Sequence, residues 1–288
     1  MFAFELQFLK WLESIRTGFC TALFEGITIL GEETLVILLV VALWFAVDSK
    51  LAQKVFFVTI CSMGLNGIVK NIAQVPRPFD KGVVPVRKET ATGFSFPSGH
   101  TQNFSTWSTL FAIKFKKKWL TGLVAACIAL VAFSRLYLGV HYPSDVLVGV
   151  ALGVGMAFLG DCLFERVKDV KKLYVAVWIL FAPFIVYFLI VANERFADFF
   201  KVFGMMGGLV LVAFLQEKIQ PLSYDVAWWK KLIRIVIGVA LAFALKEGLK
   251  ILKMGGLHLD LALDALRYFV VVLAVGYLCP LLFKKIKL

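Results

Sequence analysis

Residues 119–165, WLTGLVAACIALVAFSRLYLGVHYPSDVLVGVALGVGMAFLGDCLFE, form two charge-poor runs, 119–138 and 144–164, joined by a connection that contains His141. Each run is close to the roughly 20 residues that an α-helix needs to cross the bilayer core. Arg135 lies near the end of the first run and Asp145 opens the second. Ionisable groups at such positions are costly to bury and point to function.

Similar runs recur on both sides, and crossings are expected at 33–48, 52–72, 100–115, 172–192, 197–215, 231–251 and 264–283. The chain is 60% hydrophobic and 17% charged, against about 45–50% and about 25% in soluble domains. A water-soluble domain is therefore not expected, and the fold class expected is all-α, a polytopic transmembrane helical bundle. Residues 1–30 read as an N-terminal interfacial amphipathic helix. Phe4, Phe8, Trp11, Leu12, Ile15 and Phe19 share one face, with Glu5, Lys10, Glu13 and Arg16 elsewhere. Those charges also argue against a cleaved leader. The motif-bearing part spans 31–168, and residues 169–288 read as additional C-terminal transmembrane helices without recognisable chemistry.

The five cysteines stand singly, four of them inside apolar runs, and read as small core residues. The net charge of +12 raises the question of nucleic acid. The Lys and Arg sit in short connections between apolar runs, which suits an anionic membrane surface better, and no nucleic-acid partner is expected. Alternating crossings place Lys114/Lys116/Lys117/Lys118, Arg166/Lys168/Lys171/Lys172, Lys230/Lys231 and Lys284/Lys285/Lys287 on one side. That side is expected to be cytoplasmic. The opposite side nevertheless holds Lys70, Arg77, Lys81, Arg87, Lys88 and Arg135, which need a reason of their own.

Three segments supply that reason: Lys70-(six residues)-Arg77-Pro78, Pro97-Ser98-Gly99-His100, and Ser134-Arg135-(five residues)-His141-(three residues)-Asp145. No crossing separates the first from the second, and two separate the second from the third, so all three emerge on the non-cytoplasmic face. Fixed cations in excess call for an anionic ligand, and arginine presents a planar fork suited to phosphate oxygens. Ser98-Gly99-His100 opens a helix, where free N–H groups and the dipole favour an anion. His141 and Asp145 are four apart in a first helical turn, so the carboxylate can accept from one imidazole nitrogen and leave the other free to attack. His100 remains as proton donor to a leaving oxygen. A nucleophile, an orienter, an acid and an electrostatic cradle suffice for phosphoryl transfer without a metal.

KxxxxxxRP, PSGH and SRxxxxxHxxxD resemble the signature of the type-two phosphatidic acid phosphatase superfamily, over about residues 30–165. The resemblance implies a helical-bundle core and a covalent phosphohistidine on His141. It further implies His100 as general acid, Asp145 holding His141, and Lys70, Arg77, Ser98, Gly99 and Arg135 binding phosphate. No cofactor and no metal are expected. The partners implied are the bilayer and a lipid phosphate substrate, of the phosphatidic acid, phosphatidylglycerol phosphate, polyprenyl diphosphate or sphingoid phosphate type. The location implied is the plasma or inner cell membrane, with the site on its non-cytoplasmic face. Soluble vanadium haloperoxidases share the signature, but the bilayer-length runs argue against them. The segment 170–288 departs from the simplest bacterial members and leaves the substrate open.

Plainer readings stand beside these. Lys70 and Arg77 could be interfacial snorkelling residues, and Arg135 a structural partner of Asp145. His258, beside Gly255-Gly256, reads as a solvated loop histidine. Glu32 and Glu33 suit a helix first turn on dipole grounds alone, or else bind a polar headgroup. Lys246 and Lys250 read as a solvated helix end or as a contact for an anionic substrate. Asp161 reads as structural, and Gln102 and Asn103 either orient His100 or bond neighbouring helices. The functional alternatives are a phosphatase or phosphotransferase for a soluble ester such as a sugar phosphate and, from another class, a non-catalytic transporter.

Overall fold

The computed structural model describes residues 3–191, 193–218, 221–253 and 255–288. Residues 1 and 2 of the expected N-terminal helix, and residue 192 at the end of the 172–192 crossing, lie outside them. Twelve α-helices follow in chain order among the described residues: α1 Ala3–Ser14, α2 Gly18–Thr28, α3 Glu33–Ala42, α4 Ser49–Ala73, α5 Gly99–Phe115, α6 Lys118–Tyr137, α7 Pro143–Arg166, α8 Val170–Val191, α9 Ala197–Leu215, α10 Trp228–Gly248, α11 Leu257–Leu273 and α12 Cys279–Lys285. The all-α, polytopic architecture read from the apolar runs is the one observed. In hydrocarbon a helix satisfies its backbone polar groups within one segment, which is why runs of this length become helices.

Six helical segments among the described residues are long and apolar enough to cross a membrane: Ser49–Lys81, Lys118–Tyr137, Pro143–Arg166, Val170–Val191, Glu194–Leu215 and Leu257–Lys285. The pair Gly18–Gly31 and Glu33–Val47, bent by 50°, makes a seventh if it counts as one span. Two of the expected crossings fall outside this set. Helix α5 has only 17 residues, and α10 carries Lys230, Lys231, Arg234, Lys246 and Glu247.

Residues 1–35 with 65–162 form one compact unit, and residues 36–64 with 163–288 form another; the divisions fall inside α3, α4 and α7. In the first unit, α7 approaches α5 through glycine. A Cβ on Gly149 would lie 2.8 Å from the Ser98 carbonyl oxygen, and one on Gly153 would lie 2.5 Å from that of Gln102. Small residues at i, i+4 let two membrane helices approach backbone to backbone. Here they bring the first turn of α5 beside the first turns of α7.

The N-terminal segment is two helices rather than one. Ile15 and Arg16 leave α1, and Thr17 caps α2 by accepting from the Cys20 N–H at 3.3 Å. Helix α1 meets the rest of its unit through a second stripe, while most of the stripe expected to face the membrane interface carries no protein cover. Leu9 and Leu12 pack with Val83, Leu136, Tyr142 and Val146, while Phe4, Trp11, Ile15 and Phe19 stay exposed. Buried Glu5 explains the choice, because its Oε1 accepts from the Ser144 N–H at 2.8 Å in the first turn of α7. A carboxylate gains most where helix N–H groups are otherwise unpaired.

In the second unit, α9 and α11 meet through Gly204 and Gly208. A Cβ at the latter would lie 2.8 Å from the Phe269 carbonyl oxygen. Phe188 packs against Phe196 and Phe199, with ring centroids 4.9 and 5.1 Å away. Helix α10 packs on Phe45 at Gly238, and Phe45 meets the Phe283 ring at 5.1 Å.

The close packing of α7 predicts opposite signs for two nearby substitutions. Gly153→Ala drives a methyl group into the α5 backbone and costs about 1–3 kcal/mol. Gly155→Ala meets open space and gains up to about 1 kcal/mol of helix propensity. Thermal unfolding in detergent checks both, and a neutral Gly153→Ala contradicts the packing.

Candidate active site

The nucleophile candidate sits in the turn between α6 and α7. Gly139 adopts φ +71°, and a Cβ there would lie 2.9 Å from Val83 Cγ1 and 3.0 Å from the Val84 carbonyl oxygen. Glycine therefore lets the chain reverse beneath the 74–98 loop and present buried His141. The imidazole is held at both nitrogens: Nδ1 is 3.1 Å from Asp145 Oδ2, and Nε2 is 3.3 Å from Arg77 Nη1. A guanidinium can only donate, so Nε2 is the acceptor and Nδ1 carries the hydrogen that Asp145 accepts. Burial first, then the charges of Arg77, Arg135 and Lys70, hold the His141 pKa well below its ordinary value of 6.5. Neutral imidazole is the resting form at pH 7.

Asp145 is fully buried. Its Oδ2 also accepts from the Ser95 hydroxyl at 2.5 Å and from the Tyr142 N–H at 2.9 Å. Its backbone carbonyl accepts from the Ser98 N–H at 3.0 Å. One residue thus ties the turn of His141 to the start of α5.

Arg77 is inside, at 2% exposure. Its Nε donates to the Gly93 carbonyl at 3.0 Å and its Nη1 to that of Val140 at 2.9 Å, while Nη2 donates to the Thr92 carbonyl. The loop 74–98 is folded around this guanidinium. A snorkelling head would lie at the surface, so that reading does not describe Arg77. Lys70 is also buried, and its Nζ lies 3.9 Å from the Cβ position of Gly99.

Arg135 is fully buried. Its Nη1 donates to Thr28 Oγ1 at 2.7 Å, while Nε and Nη2 have no partner. Its one side-chain bond goes to Thr28 and not to Asp145. Ser98 holds the N-cap position of α5 without a side-chain bond to the helix N–H groups, and its hydroxyl lies 3.0 Å from Thr101 Oγ1. His100 follows in the first turn, and its Nε2 is buried without a hydrogen-bond partner. A Cβ on Gly31 would be 2.6 Å from the His100 carbonyl oxygen, so only glycine lets the α2–α3 bend close over His100. All eight residues singled out from the sequence therefore fall in one unit.

Other residues settle as follows. Gln102 Oε1 accepts from Asn66 Nδ2 at 2.8 Å, and Asn103 Nδ2 donates to the Gly31 carbonyl at 3.1 Å. Both bond neighbouring segments. Glu32 pairs with Arg87 at 2.9 Å. His258 lies in the first turn of α11, with Nε2 3.1 Å from the Leu189 carbonyl oxygen. Lys250 lies in a 3-10 turn after α10 and pairs with Glu247. Lys246 lies 5.7 Å from the centre of the Phe243 ring. Sequence reasoning missed Ser95, Thr28, Asn66 and Gly31. Asn66 alone had a local signal, being one turn before Lys70 on the same helix.

Fold and site together define a polytopic helical membrane protein whose buried cations surround an Asp-held imidazole. Residues 51–169 match the PAP2 superfamily model, and residues 200–288 match the model of the PAP2 superfamily phosphatase transmembrane extension. The chain belongs to the type-2 phosphatidic acid phosphatase superfamily.

Among its relatives, an undecaprenyl-diphosphatase of Sulfolobus acidocaldarius is 40% identical over 28% of this chain and 39% of its own length. A dolichyldiphosphatase of Saccharomyces cerevisiae is 29% identical over 48% and 61%. A phosphatidylglycerophosphatase B of Bacillus subtilis is 35% identical over 38% and 55%. The chain thus spans less than two thirds of each. The crystal structure of a transmembrane PAP2-type phosphatidylglycerolphosphate phosphatase from Bacillus subtilis aligns with a TM-score of 0.50 at 27% identity, covering 57% of this chain and 86% of that one.

A buried guanidinium with one side-chain partner costs stability, and a similarly sized apolar group removes that cost. Arg135→Met is expected to stabilise the phosphate-free protein by about 1–3 kcal/mol, measured by denaturant unfolding in detergent. Destabilisation of that size would show that Arg135 is a structural strut.

Proposed function

We propose that this protein is an integral-membrane, metal-independent phosphatase that hydrolyses a lipid phosphate or diphosphate through a phosphohistidine at His141. The observation that carries the reading is the imidazole itself, with Nδ1 tied to Asp145 and Nε2 turned towards Arg77 in a pocket of buried cations. Lys70, Arg77 and Arg135, with Ser98 and Gly99 at the start of α5, bind the phosphoryl oxygens. They supply the charge compensation that phosphoryl transfer requires.

Nε2 attacks phosphorus as the bond to the leaving oxygen breaks, and His100 gives that oxygen its proton. The bound anion offsets the surrounding cations and favours the protonated form of His100. Asp145 stabilises the charge that grows on the His141 ring. Water then attacks phosphorus, His100 takes its proton, and the N–P bond breaks to regenerate His141.

The bilayer-length helices and the relatives' names favour a substrate of the phosphatidic acid, phosphatidylglycerol phosphate, polyprenyl diphosphate or sphingoid phosphate type. The chemistry falls within 31–168 of the proposed division 1–30, 31–168 and 169–288. The basic clusters favour a site on the non-cytoplasmic face of a cell membrane.

Free-phosphate release in detergent tests this. Release is expected to persist in EDTA and to fall more than about a thousandfold in His141→Ala; loss in EDTA, or equal release by the variant, contradicts the mechanism. Ser95→Ala, which removes one support of Asp145, is expected to lower kcat/KM about tenfold, corresponding to about 1.4 kcal/mol. His141 acts as the neutral ring and its pKa lies below 6.5. The acid limb of kcat/KM, which reports the free enzyme, therefore lies below pH 6.5.

A further inference from the structure

Beside the phosphate pocket stands an ion pair that the mechanism does not use. Arg87 Nη2 is 2.9 Å from Glu32 Oε1, with the two side chains 23% and 20% exposed. Arg87 Nη1 also donates to the Glu25 carbonyl at 3.2 Å. Glu25 and Thr28 are three apart on α2, hence on one face about 5 Å from each other along the axis, and Thr28 holds Arg135. The two guanidiniums therefore grip successive turns of the same helix face. Glu32 follows Gly31, whose Cα lies against the His100 backbone.

The backbone of Arg87 is set for this position. It is left-handed at φ +56°, an uncommon conformation for a residue other than glycine. The Val86 N–H, donating to the Leu138 carbonyl at 2.9 Å, and Thr90, whose hydroxyl donates to the Arg87 carbonyl at 2.9 Å, hold it there. Leu138 caps the same helix end that carries Arg135. Loop, helix end and bend thus converge on one third guanidinium at the edge of a site that already contains two.

We infer that Arg87 is a specificity-determining residue, taking the second phosphoryl group of a diphosphate substrate while Arg77 and Arg135 hold the one being transferred. The inference rests on the phosphatase reading and narrows it to substrates with two adjacent phosphoryl groups. Glu32 occupies Arg87 in the empty site. Exchanging Glu32 for a bidentate phosphate contact keeps Arg87 paired and adds the geometric match of the guanidinium fork. Glu32 also repels an anion that does not engage Arg87, which disfavours a simple monoester.

Initial rates on a polyprenyl diphosphate and on the monophosphate of the same chain, in the same micelles, test this as a ratio of kcat/KM. Arg87→Gln is expected to lower the diphosphate-to-monophosphate ratio about tenfold, the scale of one charge-assisted contact. Glu32→Gln, which leaves Arg87 only the weaker 3.6 Å pairing of its Nε with Glu89 as a charged partner, is expected to raise the ratio about threefold. If the pair only anchored the loop, both variants would break the same contact and move the ratio the same way or not at all, which overturns the inference. Should Arg87→Gln fail to fold, the Glu32→Gln ratio decides alone: a rise supports the inference and an unmoved ratio overturns it. Release from neither substrate by the wild-type protein overturns the phosphatase reading together with the inference, whereas release with an unmoved ratio overturns the inference alone.

Discussion

The contacts of the Asp145 carboxylate organise the rest of the site. Three donors converge on its Oδ2: the Ser95 hydroxyl, the Tyr142 N–H and His141 Nδ1. A buried carboxylate needs such partners, because an ionised group away from water is otherwise severely destabilised. Each donor belongs to a different constraint. Ser95 brings the long loop, Tyr142 brings the turn that Leu9 and Leu12 of α1 cover, and His141 brings the proposed nucleophile. Loop, turn and imidazole are therefore tied to one carboxylate oxygen.

Around this centre the structure accepts instability in one place and offsets it in others. Lys70, Arg77 and Arg135 are all buried, and Arg135 leaves two guanidinium nitrogens without partners. Mutual repulsion among them weakens the empty site. Tight packing works against that repulsion, through Gly149 and Gly153 beneath α5, Gly31 above His100 and Glu5 at the start of α7. Such preorganisation places the cations before the charge arrives, where they act most strongly on a transition state.

Much of this was legible in the amino-acid sequence, for identifiable physical reasons. Apolar runs near bilayer length reveal helices, because hydrocarbon leaves the backbone few alternatives. Charges at the ends of such runs mark the candidate site. Lys70, His100 and His141 fall in one compact unit, although the crossing count that was expected to bring them to one face included α5. Residues whose role depends on a partner far along the chain were not legible. Ser95, Thr28 and Gly31 matter through Asp145, Arg135 and His100, and no spacing rule connects them. The side that α1 turns to the protein was likewise not legible, because it is set by Glu5 meeting Ser144, far along the chain. Helix α5 was read as a crossing from its position, although its 17 residues include a polar face that bonds Asn66 and Gly31.

The central claim is that His141 becomes covalently phosphorylated through Nε2. Rapid quenching of the wild-type protein during turnover of a substrate labelled in the transferred phosphoryl group tests it most directly. The account predicts a protein-bound label that survives alkali, is released by acid as expected of an N–P bond, and maps to the peptide containing His141. Turnover at full rate with no such label at any quench time, or with the label on another residue, would contradict it.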